Sequence, residues 1–233
     1  MGELTTAHFW FAFVEIIIVN ILLSGDNAVV IAMACRNLSP RQRRHGIFWG
    51  VLSACVALIL LTIFAMTLLG YPWLRIVGAV LLFWIGVKLI IEDDDGDHKV
   101  KASDRLLTAV WTIIVADLIM SLDNTVAVAA AANGNRLLII LGLSVSIPVV
   151  VLGSQVIMRL IQRFPVLIFA GGGLLGYIAG QMGEEDPAVH PWLMSNVPDV
   201  TIYIPIMAAV AVVGTGLLLV QKQKRAHARR SSH

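Results

Sequence analysis

Apolar residues fall into seven runs along the chain, at roughly 9–34, 46–69, 72–91, 106–132, 136–158, 164–182 and 200–220. Each is close to the ~20 residues that a helix needs to cross a hydrocarbon core. The breaks between them carry turn residues: Asn37-Leu38-Ser39-Pro40, Gly70-Tyr71-Pro72 and Asn133-Gly134-Asn135. The pattern predicts an all-α membrane protein of seven transmembrane helices, a single transmembrane domain over residues 1–233. Pro148 falls inside the fifth run and is expected to kink it, which a bilayer tolerates when neighbours satisfy the freed carbonyl. Composition agrees, with 58% hydrophobic and 14% charged residues in 233, more apolar side chain than a soluble domain of this size uses. The first run continues from Phe9 to Ala34 without a short signal-like core and cleavage site, so it is read as an uncleaved span.

Lysine and arginine positions orient the spans. Arg36, Arg41, Arg43 and Arg44 lie between spans one and two; Lys99, Lys101 and Arg105 between three and four; Arg159 and Arg163 between five and six. Lys222, Lys224, Arg225, Arg229 and Arg230 follow the seventh. With seven spans all four segments share one side. The other side has no Lys or Arg before span one and none from Met182 to Thr201, with Arg75 and Arg136 as exceptions. The N-terminus is therefore expected outside and the C-terminus in the cytoplasm. The basic tail fits topology and contact with anionic lipid, not nucleic-acid binding.

Half of the pattern occurs twice. Ile18–Ala32, IVNILLSGDNAVVIA, aligns with Val115–Ala129, VADLIMSLDNTVAVA, so that Ser24 meets Ser121, Asp26 meets Asp123, Asn27 meets Asn124 and Asn20 meets Asp117. Tyr71–Asp94 aligns with Phe164–Pro187, pairing Pro72 with Pro165, Gly78 with Gly171 and Glu92-Asp93 with Glu185-Asp186. The expected organisation is a repeat over 9–91, a second over 106–182, and an extra helix at 200–220. Three spans per repeat make the second copy enter from the opposite side, the inverted topology of many secondary transporters, whose sites lie near the midplane at the repeat interface.

An ionised Asp near mid-bilayer costs at least a few kcal/mol and needs a reason. Asp26 and Asp123 lie at similar depths in spans one and four. Asn20, Ser24 and Asn27 share one helix face, as do Asp117, Ser121 and Asn124; the two acids sit off those faces if the helices are regular. Local unwinding is easier at Gly25 than at its counterpart Leu122. The candidate metal site is Asp26, Asn27, Asp123, Asn124, Asn20, Ser24, Asp117 and Ser121, a hard, oxygen-rich set that suits Mg²⁺, Ca²⁺ or Mn²⁺. His8, His45, His98, His190, His227 and His233 all fall at ends or in loops, and Cys35 and Cys55 lie away from the motif, which speaks against a soft-ligand zinc or copper site. Met33 and Met120 flank the motifs and read first as packing. Glu15 shares a face with Asp26 but lies about 16 Å away, and reads as an entry group or an interface residue. Lys88 is expected to snorkel to the cytoplasmic interface. The acidic runs Glu92–Asp97 and Glu184–Asp186 read as solvated charge, or as collectors of divalent cations.

The bland reading of the two motifs is helix–helix glue, but a lone Asn or Ser would serve that purpose without buried acids. An intramembrane aspartyl protease also needs one Asp on each of two helices; its YD and GxGD patterns are not matched by Ser24-Gly25 or Ser121-Leu122, and no enzyme is expected. There is no ATP-binding loop, so transport must draw on gradients. Protonation of the Asp pair would weaken metal binding, which suits exchange for protons.

The SGDN and SLDN motifs in inverted repeats, with the YPWLRIVGAVLLFWIGVKLI segment, resemble the TerC family of bacterial membrane proteins, in particular its YjbE-like branch. The resemblance implies a seven-helix inner-membrane protein of metal-ion homeostasis and, as activity, Mn²⁺ efflux from the cytoplasm by alternating access. Asp26 and Asp123 match the family's acidic motif residues. Mn²⁺ is then the transported ion and no cofactor is expected; H⁺ and membrane lipid are the other partners, and a homo-oligomer is compatible with the sequence. The alternative from another class is a non-transporting adaptor that supports metallation or assembly of other proteins.

Overall fold

The computed structural model describes residues 10, 13–14, 17, 25–68, 71–91, 102–131 and 136–230. All secondary structure among them is helical: α1 (Gly25–Cys35), α2 (Pro40–Leu68), α3 (Leu74–Ile91), α4 (Ala102–Ala131), α5 (Arg136–Arg163), α6 (Val166–Glu184), α7 (His190–Asn196), α8 (Pro198–Thr201) and α9 (Ile204–Arg230). Trp10, Phe13, Val14 and Ile17 are helical too. Among the described residues four segments are long and apolar enough to cross a bilayer: Pro40–Leu61, Leu74–Ile91, Val166–Glu184 and Asp199–Gln223.

Helix ends depart from the hydropathy pattern. The arginines expected in loops are helical: Arg41, Arg43 and Arg44 open α2, Arg159 and Arg163 close α5, and the basic tail extends α9. Hydropathy marks where lipid begins, whereas caps mark where a helix begins. At α2 the sequence Ser39-Pro40-Arg41-Gln42 is a capping box with Pro at the first helical position. Ser39 Oγ donates to Gln42 Oε1 (2.9 Å) and accepts from the Gln42 amide (3.5 Å). The turn before it is pinned by Arg43, whose Nη2 donates to the carbonyls of Arg36 (3.1 Å) and Leu38 (3.3 Å), groups left over at the end of α1. The stretch expected as a plain loop between spans six and seven holds α7 and α8, each with Pro in its first turn. α5 runs unbroken through Pro148.

The helices form two compact units. In the first, of α1, α2, α4 and α5, α4 packs against both α2 and α1. A methyl group at Gly46 would meet Leu106 at 3.4 Å, and one at Gly50 would meet Ile113 at 2.9 Å, so α2 and α4 advance side by side in the same direction. The second unit holds α3, α6, α7, α8 and α9, with α3, α6 and α9 mutually packed. Here α6 is antiparallel to α3, since Gly183 lies against Ala79 and Gly172 against Gly86 and Ile90. It is also antiparallel to α9. A Cβ at Gly180 would lie 2.6 Å from Pro205 Cα, and one at Gly176 would lie 2.8 Å from Ala209 Cα, so only glycine lets these backbones approach. Between apolar helices in lipid such close packing, not water exclusion, drives association. Val87, Ile90, Val212 and Val220 form the centre of this unit.

Within the acidic run at the end of α6, Asp186 is not solvated charge. Asp186 is fully buried and accepts four backbone N–H bonds: from Trp73 (3.0 Å) and Ala188 (2.8 Å) at Oδ1, and from Arg75 (3.1 Å) and Ile76 (3.3 Å) at Oδ2. It is thus the N-terminal cap of α3, contributed from over a hundred residues away. Burial by itself pushes its carboxyl up; the four N–H donors outweigh that and hold it below the ordinary value of 3.8. Arg75 adds an ion pair to Glu185 Oε2 (3.0 Å) and a bond to the Glu185 carbonyl (3.2 Å). Lys88 is half-buried, with its ammonium 5.3 Å from the Trp84 ring centroid.

Candidate functional site

Those residues proposed for the cation site that the structure describes come from α1 and α4. Asp26 and Asn27 lie in the first turn of α1, and Asp26 Oδ1 accepts the Asn27 backbone N–H at 2.8 Å. Asp117 and Ser121 are one turn apart on α4, both buried, and Ser121 Oγ donates to Asp117 Oδ2 at 3.3 Å. Asp117 is the sixteenth of the thirty residues of α4, so it sits at mid-helix, about 22 Å from the first turn. The carboxyl of Asp117 is near enough to Asp26 to feel its charge. α1 and α4 pack together and bring Asp26 within electrostatic reach of the Asp117–Ser121 pair.

The remaining expected residues are placed less fully. α4 is regularly helical through Asp123 and Asn124, with no break at Leu122, but the side chains of Asp123 and Asn124 lie outside the described residues. Asn20, Ser24 and Glu15 lie outside them altogether, as does the 92–98 acidic run. Met33 and Met120 are buried.

Asn27 is 8% exposed, and its side-chain amide oxygen, Oδ1, has no hydrogen-bond partner among the described residues. A buried acceptor left open is costly, of order 1–3 kcal/mol, unless something fills it. It faces no positive side chain of its own helix, since α1 has none. Among the described residues no three His, Cys, Asp or Glu side chains converge as a metal-holding group. Any ion bound by the described residues must therefore use amide and hydroxyl oxygens beside the acids, a donor set that hard divalent cations accept.

Three polar groups escaped the sequence reading. Cys55, placed away from the motif on sequence grounds, is near enough to Asp117 to feel its charge. Cys55 is the sixteenth residue of α2 as Asp117 is of α4, and the two helices run in the same direction. Thr112, on α4, is buried five residues before Asp117. Ser154, on α5, is fully buried beside Gly153, which faces Ala28 of α1. Its hydroxyl donates to the Val151 carbonyl at 2.9 Å. A Ser or Cys in an apolar run carries no sequence signal that separates packing from participation; only helix register does so.

No solved structure matches the chain. The Bacillus subtilis strain 168 membrane protein YjbE is 41% identical over 198 residues, covering 82% of this chain and 90% of the relative. YceF of the same organism is 29% identical over 223 residues, covering 91% and 83%. YkoY is 28% identical over 156 residues, covering 64% and 48%. The model of the integral membrane protein TerC family matches residues 5–227. With nearly the whole chain inside that match, and several helices apolar enough to span a bilayer, this multi-pass membrane protein belongs to the TerC family.

Proposed function

We propose that the protein exports a divalent cation, Mn²⁺ in the first place, from the cytoplasm by alternating access, with proton exchange as the coupling. In this reading the chain makes seven spans of the bacterial inner membrane, N-terminus outside and C-terminus inside, as two inverted three-helix repeats and a final helix. The antiparallel packing of α3 against α6, whose sequences align, supports the inversion. Asp26, Asn27, Asp117 and Ser121 supply oxygen ligands, joined by Asp123, Asn124, Asn20 and Ser24 from the motif.

One observation carries the reading: the buried side-chain Oδ1 of Asn27, without a partner among the described residues, on a helix whose Asp26 lies within electrostatic reach of buried Asp117. Helix–helix glue does not account for it, because glue consumes its acceptors. Two acids and an open acceptor are what an incoming cation would satisfy.

The test is flux in proteoliposomes. Mn²⁺, Ca²⁺, Mg²⁺ and Zn²⁺ transport would be measured with and without a pH gradient, for the natural protein and for Asp26→Asn, Asp117→Asn and Asp123→Asn. Expected are Mn²⁺ flux in the natural protein and its loss in each variant. Flux that is unchanged in the Asp variants would sink the site, and folded protein without any cation flux would favour the adaptor reading. A periplasm-active reporter fused after Arg230 is expected to stay silent.

A further inference from the structure

Four exposed aromatic side chains of the second unit lie at one end, while Trp84, Phe164 and Tyr177 are exposed elsewhere on it. α3 and α9 start where α6 finishes, because α6 is antiparallel to both. At that end Tyr71 and Trp73 precede α3, Trp192 lies on α7 and Tyr203 precedes α9. All four are open: Tyr71 59%, Trp73 60%, Trp192 61% and Tyr203 58% exposed.

Backbone detail shows that this placement is held, not incidental. Trp73 has φ +70°, the only positive φ of a non-glycine residue among those described. A bulky side chain is strained there, and such a conformation persists only where its surroundings fix it. Asp186 fixes it by accepting the Trp73 N–H. The same Asp186 accepts through its main-chain carbonyl from Val189 (2.9 Å) and His190 (2.8 Å), which sets the start of α7. His190 Nδ1 lies 3.1 Å from the Glu184 carbonyl and ties α7 to α6 a second time. One buried aspartate thus holds Trp73 and sets the start of the helix that carries Trp192. On α7, Leu193 turns inward while Trp192 and Met194 stay open.

We infer that this end of the unit lies in the headgroup layer of the bilayer, with Tyr71, Trp73, Trp192 and Tyr203 as interfacial anchors and α7 resting in that layer instead of standing in bulk water. Tyr and Trp favour this zone because each pairs an apolar ring with a polar tip. Span length agrees. α3 has 18 residues, about 27 Å, close to the ~30 Å hydrocarbon core, so an end at Leu74 leaves Trp73 at its boundary. In the same end Arg75 pairs with Glu185 and His190 Nδ1 lies against the Glu184 carbonyl, while Glu184 Oε2 is buried without a partner among the described residues. The occupant is thus lipid headgroup and upper acyl chain. The inference does not depend on what the protein transports.

The experiment uses the full chain in liposomes of lipid brominated near the headgroup or deep in the acyl chain. Emission quenched by each lipid would be compared for the natural protein, Trp73→Phe, Trp192→Phe and the double variant. Expected is loss of shallow-lipid quenching, greatest in the double variant, with deep-lipid quenching unchanged. Loss confined to emission that no brominated lipid quenches would place these rings in water and overturn the inference; loss confined to deep-lipid quenching would overturn it as well. A nitroxide at position 194 of a Cys35→Ala, Cys55→Ala variant gives a second reading. Accessibility to oxygen and to a water-soluble nickel complex should both be intermediate, and full accessibility to nickel would overturn the placement.

Discussion

Replacing Asp186 tests whether one buried carboxylate fastens an end of the second unit. Asp186→Ala strips the acceptor from the N–H groups of Trp73, Arg75, Ile76 and Ala188 at once. Loss of a helix cap costs about 1 kcal/mol. Loss of a buried negative charge at a helix N-terminus costs up to about 2 kcal/mol, and the left-handed backbone of Trp73 loses the bond that holds it. Allowing for water reaching the freed N–H groups, the sum is about 3 kcal/mol. At about 2–4 °C per kcal/mol for a chain of this size, the detergent-solubilised protein should melt roughly 6–12 °C lower. Asp186→Asn keeps one acceptor and should lose about half as much. Glu185→Gln is the control, because its ion pair with Arg75 is partly open to solvent, 37% on the Glu side, and such pairs contribute under about 1 kcal/mol. The pH dependence has a fixed sign. The folded carboxyl is held below 3.8, so its contribution is fully present above that ordinary value and disappears only as pH falls through the depressed one. The gap between natural protein and Asp186→Asn should stay constant from neutral pH down to about 4 and close below it. A melting temperature for Asp186→Ala that matches the Glu185→Gln control, or a gap that closes near neutral pH, would refute the reasoning.

Gly180→Ala should destabilise the second unit by about 1–3 kcal/mol, since its methyl would meet the Pro205 backbone at 2.6 Å. Gly214→Ala, with nothing within 4 Å, should be neutral or slightly stabilising; equal melting of the two variants would contradict the packing. Ser121→Ala removes the hydroxyl bonded to Asp117 and should weaken Mn²⁺ transport about tenfold in half-saturation without loss of fold, read from flux against Mn²⁺ concentration. Arg43→Ala frees the carbonyls of Arg36 and Leu38 and should cost about 2 kcal/mol, seen as faster hydrogen exchange at the α1–α2 turn. Arg43→Lys should recover only part of it, because an ammonium does not reproduce the guanidinium fork.

Sequence alone determined that this chain lives in a bilayer and that its helices follow the apolar runs, and it marked Asp26, Asn27, Asp123, Asn124, Asn20, Ser24, Asp117 and Ser121 as candidates for one site. Those features are legible because hydrocarbon forces backbone groups into helices and makes a buried acid conspicuous. The sequence also held an unused signal, the Ser39–Gln42 capping box, which starts α2 before its apolar run. Tertiary structure decided the rest. Asp186 looked like one charge in an acidic run, yet it caps a helix that begins 112 positions earlier and fixes a strained tryptophan. Cys55 looked remote from the motif until the parallel register of α2 and α4 brought it to the depth of Asp117. In both cases the partner lies on another helix. Periodicity reports which face of a helix is apolar, but not which neighbour that face meets or at what register. Register is set by how closely two backbones can approach, and so by glycines such as Gly50 and Gly180 meeting particular side chains across the interface.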